Sequence, residues 1–142
     1  MRSIRGSLNQ LQPLVDVSIG NADEFNADRE TYLALVDTGA TRTRITERVI
    51  ARFSLQPVTK LLVASATSAP ERRRAYEFSL GLFCTNETET SGNQSLYTLG
   101  RTFVAPVFKD NGNFDVLLGM DLLSRGRLVF EIGGDFSFSF DL

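Results

Sequence analysis

The sequence predicts an all-β domain with one or two short helices, and three observations carry this expectation. Apolar residues alternate at period two in several segments, among them Val15, Val17 and Ile19, and Phe136, Phe138 and Phe140. Short apolar runs, such as Leu33 to Val36 and Phe114 to Leu118, stop at turn residues, as buried strands do. Helical spacing is confined to two brief stretches, one after Thr46 and one after Gly119. A chain of 142 residues with 42% hydrophobic residues suits one domain, 1–142, with a genuine core.

Met1 to Gln12 is polar and weakly patterned, and a frayed tail is one reading of it. Leu14 to Gly20 alternates, with Val15, Val17 and Ile19 on one face and Asp16 and Ser18 on the other, as in a half-buried strand. Asn21 to Arg29 is a polar loop. Glu30 to Val36 is a buried strand that pairs with the first as a hairpin.

Thr46 is placed to cap a helix from Glu47 to about Phe53. Ile45, Val49, Ile50 and Phe53 fall near one face of it, Glu47 suits its N-terminal end and Arg52 its C-terminal end. Pro57 to Ala64 and Arg74 to Phe83 are strands joined by the small-residue stretch Ala64 to Pro70. Tyr76, Phe78, Leu80 and Leu82 share one face of the second strand. Arg72, Arg73 and Arg74 read either as a solvated hairpin edge or as an attractor of acidic substrate residues.

Cys84 to Ser95 is a polar, acidic loop, and Leu96 to Phe108 holds one or two strands. A turn at Lys109 to Asn113 precedes the buried strand Phe114 to Leu118. Met120 to Ser124 is a short helix that Gly126 is placed to end. Arg127 to Ile132 is a strand, Gly133-Gly134 a turn, and a last strand carries Phe136, Phe138 and Phe140. Three phenylalanines on one face of a terminal strand need a partner, and a second chain is the expected one.

The buried strand Glu30 to Val36 delivers Asp37-Thr38-Gly39-Ala40-Thr41. A carboxylate at the end of a buried strand is costly unless it is hydrogen-bonded or shares a proton. The glycine suits a tight turn, where its backbone can take angles that other residues resist. Alone, such a tripeptide reads as an ordinary turn. Asp37-Thr38-Gly39-Ala40 after its apolar lead-in, followed by Val116-Leu117-Leu118-Gly119-Met120-Asp121-Leu122-Leu123, resembles the retropepsin-like aspartic proteases. The resemblance covers roughly Pro13 to Leu142.

This resemblance implies a closed acid-protease barrel with a flap hairpin and short helices. It implies Asp37, from both chains of a homodimer, as catalytic, with Thr38 bonding across the dimer and Gly39 allowing close approach. It places Ala40, Thr41, Leu118 and the hairpin residues Val63, Ala64, Ser65, Ala66 and Thr67 against an extended polypeptide substrate. It also offers the N-terminal segment a place in the dimer's terminal sheet. The tip Ala64 to Pro70 lacks the glycine common at such tips. Many retroviral members pair an acid after the catalytic turn with a base near the second glycine; here Thr41 and Met120 stand instead. Asp121 does not lead a Thr-Gly pair, so it is expected to cap the short helix or to pair with Arg42 or Arg44.

Composition narrows the chemistry further. The chain has no histidine, which removes Ser-His-Asp and Cys-His catalysis and most transition-metal sites. Cys84 is the single cysteine, so no intrachain disulfide forms. The net charge of -2 points to no nucleic-acid partner, and no apolar run approaches the length of a membrane span. Met1 to Gly6 has no apolar signal core, so a cytoplasmic location is expected. No cofactor or metal is called for.

One catalytic aspartate per chain requires the site to form at a two-fold interface. Two facing carboxylates hold one proton between them and titrate as a unit, an established behaviour of aspartic proteases as a class. Two other readings stand beside an active homodimeric endopeptidase. One is the same fold acting as a non-proteolytic peptide-binding or dimerisation module. The other is an unrelated β-rich structural or ligand-binding domain with a chance turn.

Overall fold

A computed structural model describes residues 1–23, 28–65, 67–86 and 93–141. The chain runs β1 (Arg2–Asn9), β2 (Gln12–Asn21), β3 (Glu30–Val36), β4 (Arg44–Ile45), α1 (Glu47–Phe53), β5 (Pro57–Ser65) and β6 (Ser68–Asn86). It continues through β7 (Ser95–Ala105), β8 (Val116–Leu118), α2 (Met120–Leu123), β9 (Gly126–Phe130) and β10 (Asp135–Phe140). The strands form one curled sheet in the order β4-β8-β3-β2-β6-β1-β10-β9, with β5 and β7 also on β6. The all-β class with two short helices is therefore present. β1 meets β2 at one end and β6 at the other, while β2 itself pairs with β6, and this circuit curls the sheet.

β6 is the hub. Its C-terminal half holds Phe78, Leu80 and Leu82 on one face, all fully buried. Its N-terminal half forms a long hairpin with β5, in register from Pro57↔Tyr76 to Ser65↔Ser68. Both strands thus extend further toward the tip than the sequence predicts. Small residues with no apolar pattern hide this extension, because it is fixed by backbone pairing.

The N-terminal segment is a strand. β1 pairs with β10 from Arg2↔Phe140 to Ser7↔Asp135 and buries Ile4. It turns into β2 through Gln10 and Leu11, both at positive φ (51° and 65°). This two-residue turn twists with the strands, but it usually carries Asn or Gly. Gln-Leu gives no such signal, so the hairpin is invisible in the sequence.

Phe136, Phe138 and Phe140 find their partner inside the protomer. They are 2%, 0% and 1% exposed, and β10 is flanked by β1 on one side and β9 on the other. The expected second chain is not what covers them.

Other local expectations are also revised. Thr46 occupies the cap position of α1, yet its hydroxyl makes no cap bond; it donates to Asp115 at 2.8 Å. Gly126 does not end α2 but opens β9, where a Cβ would meet the Ser139 carbonyl oxygen at 2.3 Å. Ser18, expected on a solvated face, is buried because the Arg29 guanidinium lies over it, donating to Ser18 Oγ at 2.8 Å and Ser79 Oγ at 2.6 Å. None of the described helices is long and apolar enough to cross a membrane.

Candidate active site

The site begins with two apolar strands that lie side by side in the core. β3 and β8 pair in parallel, Ala34↔Val116, Leu35↔Leu117 and Val36↔Leu118. Ala34, Val116 and Leu118 are fully buried, so burial fixes the register. Parallel strands in step release their chains at the same level. Asp37 therefore leaves β3 where Gly119 leaves β8, and the Asp37 N–H donates to the Leu118 carbonyl at 3.0 Å.

From there the chain turns tightly. The Ala40 N–H donates to the Asp37 carbonyl at 3.2 Å, and the Gly39 N–H donates to Asp37 Oδ1 at 2.9 Å. The carboxylate is half-buried and Thr38 and Gly39 are exposed. Gly39 is not at positive φ, contrary to the sequence reading. Its value here is proximity: a Cβ would sit 3.2 Å from Asp37 Oδ1.

The turn is braced by α2. Met120 N–H donates to the Ala40 carbonyl at 2.8 Å and Asp121 N–H to the Thr41 carbonyl at 3.1 Å. Gly119 is required by space alone, since a Cβ would lie 2.5 Å from the Arg42 carbonyl carbon. The Asp121 carboxylate accepts the Thr43 N–H and, at 2.7 Å, the Thr43 hydroxyl. That hydroxyl in turn accepts the Gly119 N–H at 3.1 Å. Asp121 thus grips Thr43 and also accepts the Leu122 N–H in the first turn of α2 at 2.9 Å, in keeping with the capping expectation, whereas neither Arg42 nor Arg44 pairs with it. Both arginines turn toward the end of β7 and the segment that follows it. Arg42 Nη1 reaches the Val104 carbonyl at 3.5 Å, and Arg44 donates to the Pro106 carbonyl at 2.9 Å and to the Val107 carbonyl.

A cavity of about 440 Å³ opens beside the turn. Gly39, Ala40 and Thr41 form one wall, and Leu62, Val63 and Ala64 of the β5–β6 hairpin form another. Arg42, Arg44 and Pro106 complete it. The fold thereby brings Gly39, Ala40, Thr41, Val63 and Ala64 to one place. Asp37 stands two residues from the Gly39 wall. Thr67 lies exposed in the hairpin turn, Ser65 ends β5, and Ala66 lies outside the described residues. Leu118 is a correction: it has no exposure and does not line the cavity, because its side chain packs in the core and only its carbonyl serves the turn. A concavity of about 490 Å³ between β1 and β10 contains no residue of the turn.

Four wall residues, Arg42, Arg44, Leu62 and Pro106, lie outside the lining that the sequence predicts. The alternation Arg42-Thr43-Arg44-Ile45 was the readable signal, since it turns both arginines away from the buried Thr43 and Ile45. Burial pulls the Arg44 guanidinium below its ordinary pKa, and the nearby positive charge of Arg73 adds to this. A second brace was also missed. Asp115 is 5% exposed and accepts from the Thr46 hydroxyl and from Arg48, tying α1 to the approach of β8. Among the described residues, no group of three or more acidic or cysteine side chains is placed to hold a metal ion.

The family described as Aspartyl protease matches residues 15–122, well over half of the chain. Among solved structures, a retropepsin-like aspartic protease from Rickettsia conorii superposes with a TM-score of 0.53 at 14% identity, covering 97% of this chain and 91% of that one. At that identity the match shows the fold, which is retropepsin-like. No curated protein matches the sequence significantly.

Proposed function

We propose, from the premise that this chain belongs to the aspartyl protease family, that it is a homodimeric endopeptidase whose active site joins Asp37 of two chains. The observation that carries this reading is the parallel pairing Val36↔Leu118, which presents Asp37 at a braced surface turn. The turn supplies one such acid, and the hydrolysis of a peptide bond by this chemistry uses two. A two-fold axis beside Asp37 supplies the second.

In the dimer one Asp37 carboxylate is ionised and takes a proton from a water molecule. The protonated partner donates to the scissile carbonyl oxygen, and the water oxygen attacks the carbonyl carbon. The resulting gem-diol collapses as a proton passes to the leaving nitrogen, which breaks the C–N bond. Gly39 holds the local carboxylate by its N–H at 2.9 Å. Thr38, exposed beside it, reaches the partner turn. The β5–β6 hairpin closes over an extended polypeptide, and main-chain bonds to that strand supply affinity.

The test is cleavage-site profiling on denatured proteome peptides across pH, with Asp37→Asn as the blank. Cleavage lost in the blank and blocked by a statine-type inhibitor supports the reading. Specific peptide binding with no cleavage under any condition replaces it with the non-proteolytic module.

A further inference from the structure

Among the described residues that line the cavity beside the turn, the charged ones are both positive. Arg42 and Arg44 belong to its wall, and Arg44 is held there by two backbone carbonyls, of Pro106 and Val107. Those bonds fix the guanidinium without neutralising it. Arg73 approaches from β6, close enough for its charge to act on Arg44. It is half-buried and pairs with Leu61 across the hairpin, on the same face as the fully buried Ala75. This is the inward face of the hairpin. Among the described residues no ion pair engages Arg42, Arg44 or Arg73, although the chain forms ion pairs elsewhere. Glu71 lies two residues from Arg73 and is exposed.

Arg42 and Arg44 share the cavity wall, the charge of Arg73 acts on Arg44, and a partly desolvated positive field of this kind calls for an anion. We propose that the cleft selects an acidic side chain of the substrate, Asp or Glu, within about three residues of the scissile bond, held between Arg44 of the floor and Arg73 of the hairpin. The arginine fork matches a carboxylate with two parallel bonds. Binding the acid would also draw the hairpin toward the turn, because the two arginines sit on different elements. This inference rests on the peptidase reading for the position of the scissile bond. The recognition of a carboxylate by the cleft does not depend on that position.

The experiment profiles wild type, Arg73→Gln and Arg73→Glu on one peptide library, then measures kcat/KM on matched peptides carrying Glu, Gln or Lys at the selected position. Wild type should prefer Glu over Gln by about tenfold, the scale of a charge-assisted hydrogen-bonded pair. The preference should shrink in Arg73→Gln, turn toward Lys in Arg73→Glu, and weaken at high salt. Cleavage with no acidic preference, or a preference unchanged in both variants, overturns the inference and leaves the peptidase reading standing. If wild type cleaves nothing, the peptidase reading fails, and retention decides the inference. Immobilised wild-type protein is then offered nonapeptide libraries fixed at Glu or Gln. Selective retention of the Glu library upholds the carboxylate site, and equal retention overturns it.

Discussion

The Thr43 hydroxyl donates to the Asp121 carboxylate at 2.7 Å while accepting the Gly119 N–H at 3.1 Å. One buried side chain therefore ties the segment after the turn to both the end of β8 and the start of α2. Thr43→Val keeps the shape but leaves the Gly119 N–H and part of the Asp121 carboxylate unpaired. We expect a loss of about 1–3 kcal/mol in unfolding free energy, the cost of leaving buried polar groups unmade. Urea denaturation measures it; a variant as stable as wild type would show that water replaces the lost bonds.

Gly119→Ala should be worse than its size suggests. The added Cβ would lie 2.5 Å from the Arg42 carbonyl carbon and 2.9 Å from the Ala40 carbonyl oxygen, both backbone. Backbone cannot swing aside as a flexible side chain does, so the turn must move. Peptidase activity should fall by about a hundredfold, the sensitivity expected when reacting groups are misplaced by an ångström. Activity near wild type would mean that the turn tolerates displacement.

Loss of the last strand should unfold the protomer. Phe136, Phe138 and Phe140 are buried within the chain, so deleting 135–142 removes core as well as sheet. Phe138→Ala alone should cost about 3–5 kcal/mol, the range for truncating a buried aromatic. A folded, monomeric truncation seen by circular dichroism and ultracentrifugation would show instead that the strand serves association.

The shared site can be tested by mixing chains. Refolding wild type with an equal amount of Asp37→Asn leaves roughly a quarter of dimers with two intact acids, because pairing is random. Activity should fall to about a quarter of that of the same total protein made only of wild type. Half the activity would place both catalytic acids in one chain, with Asp121 the first candidate for the second.

The thiol of Cys84 offers a pH-dependent readout of folding. It is 2% exposed, and burial pushes its pKa up, with Arg2 opposing. A raised value means the protonated thiol is favoured in the folded state. The stability that burial of the protonated thiol gives is complete below the unfolded thiol's pKa and is lost as pH rises through the folded value. Alkylation of the native protein should therefore be slow at neutral pH and should accelerate at higher pH than in urea. Equal rates in both states would place Cys84 in solvent.

Adjacency and periodicity determined much of this protein. The alternation of Val15, Val17 and Ile19, the apolar runs ending at Asp37 and Gly119, and the turn at Gly133-Gly134 are local, and each segment carries its own signal. The family match spans residues 15–122, which include both Asp37-Thr38-Gly39 and Gly119. What the tertiary structure decided were relations between residues far apart in the chain. Asp121 meets Thr43, Asp115 meets Thr46 and Arg48, and Arg29 meets Ser18 and Ser79 because strands distant in sequence pair. The Gln10-Leu11 turn takes positive φ because the pairing of β1 with β10 and β2 imposes it against local preference. The terminal phenylalanines look unpartnered in the sequence because one of the two strands that flank them, β1, comes from the other end of the chain. Only closure of the sheet around them turns an apparent interface into a core.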